Sequence, residues 1–100
     1  MALMEISVVP LGTGSTSLSK YIAEMEKYLK EKGIPYTLTD MGTIIEGEIA
    51  KLLDIAKKLH EVPFKAGVQR VYTVLKIDDR RDKEVHLGTK IKSVKEKLCS

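Results

Sequence analysis

The residues best suited to chemistry fall in a few short stretches. Gly12-Thr13-Gly14-Ser15-Thr16-Ser17 is the densest run of small residues in the chain. An apolar run precedes it and a helix-like pattern follows it. Free N–H groups and hydroxyls in such a turn can bind an anion or a polar ligand. The plainer alternative is a capped strand-to-helix turn. Glu46, just before Gly47, can accept hydrogen bonds from a cationic or amino-bearing ligand; its alternative is an ion pair with Arg70 or Lys76. Those two cations, with Gly12 and Gly14, are candidates for an anion site or an interface. The histidines are His60 and His86, and the single cysteine is Cys99.

Several chemistries are excluded by spacing. Gly12 to Ser17 spells G-x-G-x-x-S, and Asp40 closes the next strand. A dinucleotide fingerprint needs a third glycine and an acid nearer in sequence. A phosphate-binding P-loop needs Gly-Lys-Ser/Thr, which does not follow. Nucleophilic catalysis needs a base beside the nucleophile, and neither histidine has a catalytic-looking neighbour in sequence. One cysteine and no paired ligand spacing argue against a metal site. An RNA-reading sheet needs aromatic residues on its central strands, and only Tyr72 is offered. No cofactor is implied.

The elements that must carry these residues follow from periodicity. Residues 3–9 alternate, with Met4, Ile6 and Val8 on one face and Glu5, Ser7 and Val9 on the other, which predicts a strand. From Leu18 the spacing changes to that of a helix, with Leu18, Ile22, Met25 and Leu29 as its stripe. Ser17 or Thr16 is expected to cap it. Lys30 and Lys32 suit its last turn, Gly33 its C-terminal stop, and Pro35 forbids continuation. Tyr36–Asp40 and Thr43–Gly47 read as a hairpin turning at Met41 and Gly42. A second helix is expected from about Glu48 to His60, striped by Ile49, Leu52, Ala56 and Leu59 and stopped at Val62-Pro63. The following loop would fold Phe64 back on the core. Gln69–Asp78 reads as a fourth strand, residues 78–82 as a charged loop, and Ile91, Val94 and Leu98 as a short third helix.

The order β-α-β-β-α-β plus a terminal helix is the ferredoxin-like α+β plan, a four-stranded antiparallel sheet with two helices on one face. The 100 residues suffice for one domain, 1–100. The other sheet face mixes Glu5, Ser7, Val9, Ile44, Glu46, Arg70, Tyr72, Val74 and Lys76. Apolar and charged groups alternate there, which points to packing against another copy; a solvated face is the alternative. The net charge of +3 is scattered without a block. It marks neither a nucleic-acid partner nor a membrane partner. With no disulfide pair, no apolar span and no signal-like start, a cytoplasmic protein is expected.

Three segments carry a resemblance. P-L-G-T-G-S at 10–15, Y-T-L-T-D-M-G-T-I-I-E-G at 36–47 and R-V-Y-T-V-L-K-I-D-D-R-R-D at 70–82 together resemble the thiamine-binding MTH1187/YkoF-like family, over residues 4 to about 98. The resemblance implies the ferredoxin-like fold and sheet-to-sheet association as a dimer or a dimer of dimers, a tetramer. It also implies non-catalytic binding of thiamine or its hydroxymethylpyrimidine part. An aminopyrimidine needs acceptors, donors and an apolar or aromatic wall. Thr13, Ser15, Tyr36, Thr43 and Glu46 are the residues the resemblance offers for that. A typical member has proline where this chain has Asp40, which puts a negative charge near the implied pocket. The alternative function is a regulatory module binding an anion or a phosphorylated metabolite at Gly12–Ser17. An enzyme with a site formed between subunits ranks last, for want of a base.

Overall fold

A computed structural model describes residues 1–99. The elements run β1 (Ala2–Leu11), α1 (Ser19–Glu31), β2 (Tyr36–Thr39), β3 (Gly42–Gly47), α2 (Ile49–Lys65), β4 (Arg70–Asp79) and α3 (Thr89–Leu98). The strands form one sheet in the order β2-β3-β1-β4, every neighbour antiparallel. This is the ferredoxin-like α+β fold that the sequence predicts.

Alternation along β1 decides the layers. Ala2, Met4, Ile6 and Val8 are buried against the helices. They meet Ile45 of β3, the α1 stripe Tyr21, Met25 and Leu29, and the α2 stripe Leu52, Ile55, Ala56 and Leu59. Leu3, Glu5, Ser7 and Val9 take the open face and stay half-exposed. On that face β4 contributes Tyr72, 60% exposed, and Val74, 42% exposed.

Both helices end as their glycines dictate. In α1 the Gly33 N–H donates to Lys30 O and the Ile34 N–H donates to Leu29 O. In α2 the Gly67 N–H donates to Phe64 O and the Val68 N–H donates to Pro63 O. These are Schellman closures, which need the left-handed backbone seen at Gly33 and Gly67.

Three expectations are corrected. Proline does not stop α2 before Pro63: the helix runs to Lys65 with Pro63 buried inside it. Pro63 lies in the last turn, where the missing N–H removes a single ladder bond and the closure at Gly67 takes over. Phe64 is therefore helical, its ring edge-on to His60 with centroids 5.4 Å apart. Neither Ser17 nor Thr16 caps α1; its N-cap is Leu18, with no side-chain cap bond. The hairpin turns at Asp40-Met41, because Thr39 pairs with Gly42. Thr39 Oγ1 donates to Gly42 O at 2.7 Å and accepts the Gly42 N–H at 3.1 Å, closing the turn.

α3 stands apart. It buries none of its residues, and Ile91, Val94 and Leu98 are exposed. The molecule measures 49 × 29 × 22 Å as a result. Among the described residues no helix is long and apolar enough to cross a membrane.

Candidate functional site

The glycine-rich turn leaves β1 at Leu11 and reaches α1 at Ser19. Gly12 and Gly14 both take φ of +74°, which lets the chain reverse twice in three residues. The hydroxyls brace this path. Thr13 Oγ1 donates to Ser15 O at 3.0 Å and accepts the Ser15 N–H at 3.3 Å. Ser15 Oγ accepts the Ser17 N–H at 3.1 Å. Thr13 and Ser15 thus brace the turn, while Ser17 Oγ, one of the expected caps, pairs with Ser19 Oγ at 3.1 Å.

Beside the turn lies a cleft of about 480 Å³, lined by Leu11, Gly12, Thr13 and Tyr21 on one side and by Ala66 to Arg70 on the other. A recess of about 180 Å³ adjoins it, sharing Thr13 and Tyr21 and adding Ser15, Ser17, Ser19 and Lys20. The two hollows form because the turn and the start of β4 flank the first turn of α1. Their charge is one-sided: Arg70 and Lys20 line them, and no carboxylate does. The Lys20 ammonium stands 5.0 Å from the centre of the Tyr21 ring. Arg70 makes no hydrogen bond or ion pair among the described residues.

Of the residues expected at a site, Gly12, Thr13 and Arg70 therefore come together, with Ser15 next to them. Gly14 sits in the same turn, between Thr13 and Ser15; Lys76, Tyr36, Thr43 and Glu46 do not join them within one chain. Lys76 lies six residues further along β4, roughly 20 Å away at ~3.3 Å per residue. It approaches Glu5 at 3.6 Å. Tyr36 and Thr43 point to the helix side of the sheet, opposite Ile45 and Leu38. Thr43 lines a small recess under the hairpin with Ile6, Leu38 and Met25.

Glu46 stands across from Leu3, at the far end of β1 from the turn. The separation is roughly 25 Å at ~3.3 Å per residue. Its partner is neither Arg70 nor Lys76. Its Oε1 accepts the His86 Nδ1 hydrogen at 2.9 Å and the Leu87 N–H at 3.0 Å. His60 is likewise engaged, with Nδ1 2.7 Å from Thr73 Oγ1.

Tyr21 and Gln69 were not singled out by the sequence reading. Tyr21 had a signal, since Tyr21, Met25 and Leu29 repeat at a spacing of four. Gln69 had none. The strongly shifted titrations lie elsewhere, in the loop after β4. There the Arg80 guanidinium holds Asp82 at about 2, and Arg81 lowers Asp79. Among the described residues no group of three or more His, Cys, Asp or Glu is placed to hold a metal ion.

With the turn and cleft in place, the comparison with known proteins is decisive. A family model described as thiamine-binding protein matches residues 4–95. The chain belongs to that family. It is 48% identical over 99 residues to a UPF0045 protein of Methanothermobacter thermautotrophicus, covering 98% of this chain and 100% of the relative. It is 43% identical over 102 residues to the UPF0045 protein YqgV of Bacillus subtilis, covering 98% of each. The solved structure of the Methanocaldococcus jannaschii protein MJ1052 superposes with a TM-score of 0.82 at 35% identity, covering 95% of this chain and 96% of that one. These matches span nearly the whole of this chain and of each relative.

Proposed function

We propose that this member of the thiamine-binding family binds thiamine or its hydroxymethylpyrimidine part without transforming it, as a self-associating cytoplasmic protein. The observation that carries the reading is the family match over residues 4–95. The cleft at the glycine-rich turn is its natural seat. About 480 Å³ is within the range of small-molecule sites, roughly 300–1,000 Å³. Leu11, Val68 and the Tyr21 ring supply apolar and aromatic walls for a heterocycle. The Gln69 carboxamide can both donate to and accept from a ring that carries an amino group beside a ring nitrogen. Thr13 and Ser15 keep the turn in the shape the ligand meets.

A binding role also fits what the cleft lacks the means to do. Both histidines are spent elsewhere, His60 on Thr73 and His86 on Glu46. A phenol, a carboxamide and a guanidinium hold and orient a ring better than they break its bonds. Self-association is supported by the open sheet face, where Tyr72 and Val74 stand exposed beside half-buried Val9 and Leu11.

Titration calorimetry with thiamine and with hydroxymethylpyrimidine tests the reading. Saturable heat is expected, weakened by Thr13→Ala because the turn loses its brace. Silence, with no thermal shift at millimolar ligand, overturns it.

A further inference from the structure

The cleft has a charge that the bare ligand does not match. Thiamine carries a fixed positive charge on its thiazolium ring. The two hollows at the turn are lined by Arg70 and Lys20 and by no carboxylate. A cation among these lining residues meets like charges; the carboxylates of Glu24 and Glu31 line the neighbouring hollow along α1, which shares Lys20, Tyr21 and Ala66. We propose that the cleft is built for the phosphorylated form of its ligand, with Arg70 receiving the phosphate. This rests on the reading that the family's ligand sits in this cleft.

Arg70 is the arginine free to do so. Arg80 is held by Asp82 through two bonds, at 2.8 and 2.6 Å, and Arg81 by Asp79 at 2.9 Å. Arg70 has neither a carboxylate nor any other polar partner among the described residues. Its cross-strand neighbour is Leu11. Arg70 lines the cleft, and an unpaired guanidinium keeps its planar donor fork available, a fork that matches two oxygens of a phosphate at once. Gln69 precedes it, and Gly12 and Thr13 line the same cleft. A side chain at Gly12 or Gly14 would project into open space, so nothing screens this stretch of backbone from a ligand.

Lys20 is placed as the second cation. Its ammonium lies over the ring of Tyr21, a residue that lines both hollows. A ligand lying along that wall has its ring against Tyr21, its phosphate toward Arg70 and Lys20 alongside. The thiazolium is then neutralised by the ligand's own phosphate, and the guanidinium by the same group.

The test compares thiamine, thiamine monophosphate and inorganic phosphate by calorimetry at constant ionic strength. Thiamine monophosphate is expected to bind about tenfold more tightly than thiamine, the scale of one charge-assisted contact. Raised salt should shrink that ratio. Arg70→Gln should bring it to about one, and Arg70→Lys should keep part of it. Equal affinities in the unmodified protein, or a ratio that survives Arg70→Gln, overturn the proposal and leave thiamine binding standing. Binding of inorganic phosphate that is lost in Arg70→Gln, without any binding of thiamine, supports the anion site and removes the thiamine reading.

Discussion

The Glu46 carboxylate and the His86 ring, forty residues apart, meet at 2.9 Å at the end of the inner strand β3. The same oxygen takes the Leu87 N–H, and Thr89 Oγ1 in turn accepts the His86 N–H at 3.2 Å. These bonds lead directly into α3, which buries none of its own residues. A ten-residue helix is marginal in water by itself. Glu46 therefore acts on α3 through the segment that starts it. Glu46→Ala should free that segment while leaving the core intact. A hydrogen bond to a charged group contributes ~1.5–3 kcal/mol. Amide exchange over residues 89–98 should accordingly quicken by at least tenfold, with little change in residues 2–11. Uniform acceleration across the sheet would show that Glu46 supports the core instead.

Gly42 is the described glycine where an added side chain would be most crowded. A Cβ built there would stand 2.9 Å from Ile6 O, a backbone atom that cannot swing away. Gly42→Ala should push β3 off β1 next to the hairpin. The expected cost is ~1–3 kcal/mol, the scale of overpacking in a filled interior. Urea unfolding checks it, as a lower midpoint at unchanged slope. A variant as stable as the parent would mean that the hairpin can tilt.

What the sequence displayed was whatever repeats along a short window. The alternation of Met4, Ile6 and Val8 and the helical spacing of Met25 and Leu29 each reflect one face meeting one core. The architecture could be assembled from such windows. Pro63 misled because its effect depends on how close the helix is to ending. That end is fixed at Gly67, and a proline in the last turn removes little. The turn at Gly12–Ser17 was recognised, but its hydroxyls had two local uses, capping α1 or bracing the loop, and spacing does not choose between them. The Glu46–His86 bond was illegible, because it depends on where a loop returns after β4. The same is true of the gathering of Thr13 with Arg70 and Gln69. Strand pairing sets that encounter, at Leu11 against Arg70.

The loop after β4 sets a pH prediction. Asp82 is held at about 2, chiefly by its hydrogen bonds to Arg80 and also by the guanidinium charge. Asp79 is lowered as well, first through its bond to Arg81. Depressed carboxylates contribute stability above their ordinary value near 3.8 and lose it as pH falls through the folded value. The Asp82–Arg80 pair should therefore persist at pH 4 and be released only as pH approaches about 2, and the Asp79–Arg81 pair should be released below the ordinary aspartate value. Both pairs are solvent-exposed, so salt should weaken them and the global melting temperature should barely respond. Carboxyl chemical shifts of Asp82, followed from pH 7 down to pH 2, check this. A midpoint at the ordinary aspartate value would show that the Arg80 fork is not held in solution.

The open sheet face makes the last prediction. Tyr72 lies opposite Val9, and Val74 opposite Ser7, so apolar groups gather at the middle of the β1–β4 pair. Glu5 and Lys76 face each other next to them, 3.6 Å apart, as a polar border. An apolar centre with a charged rim is the anatomy of an interface. A one-sided sheet of this size has much to gain by covering that centre with a second copy. Light scattering should report a species of at least twice the chain mass of 11.2 kDa. Val74→Lys should shift it to the monomer, since the buried centre would then hold an unpaired charge from each copy. Val74 is 42% exposed, so the substitution leaves the protomer core untouched and the monomer should stay folded. A parent protein that is monomeric at every concentration would rule out this face as an interface. An oligomer indifferent to Val74→Lys would move the interface elsewhere, with the exposed Ile91, Val94 and Leu98 stripe of α3 as the next surface to substitute.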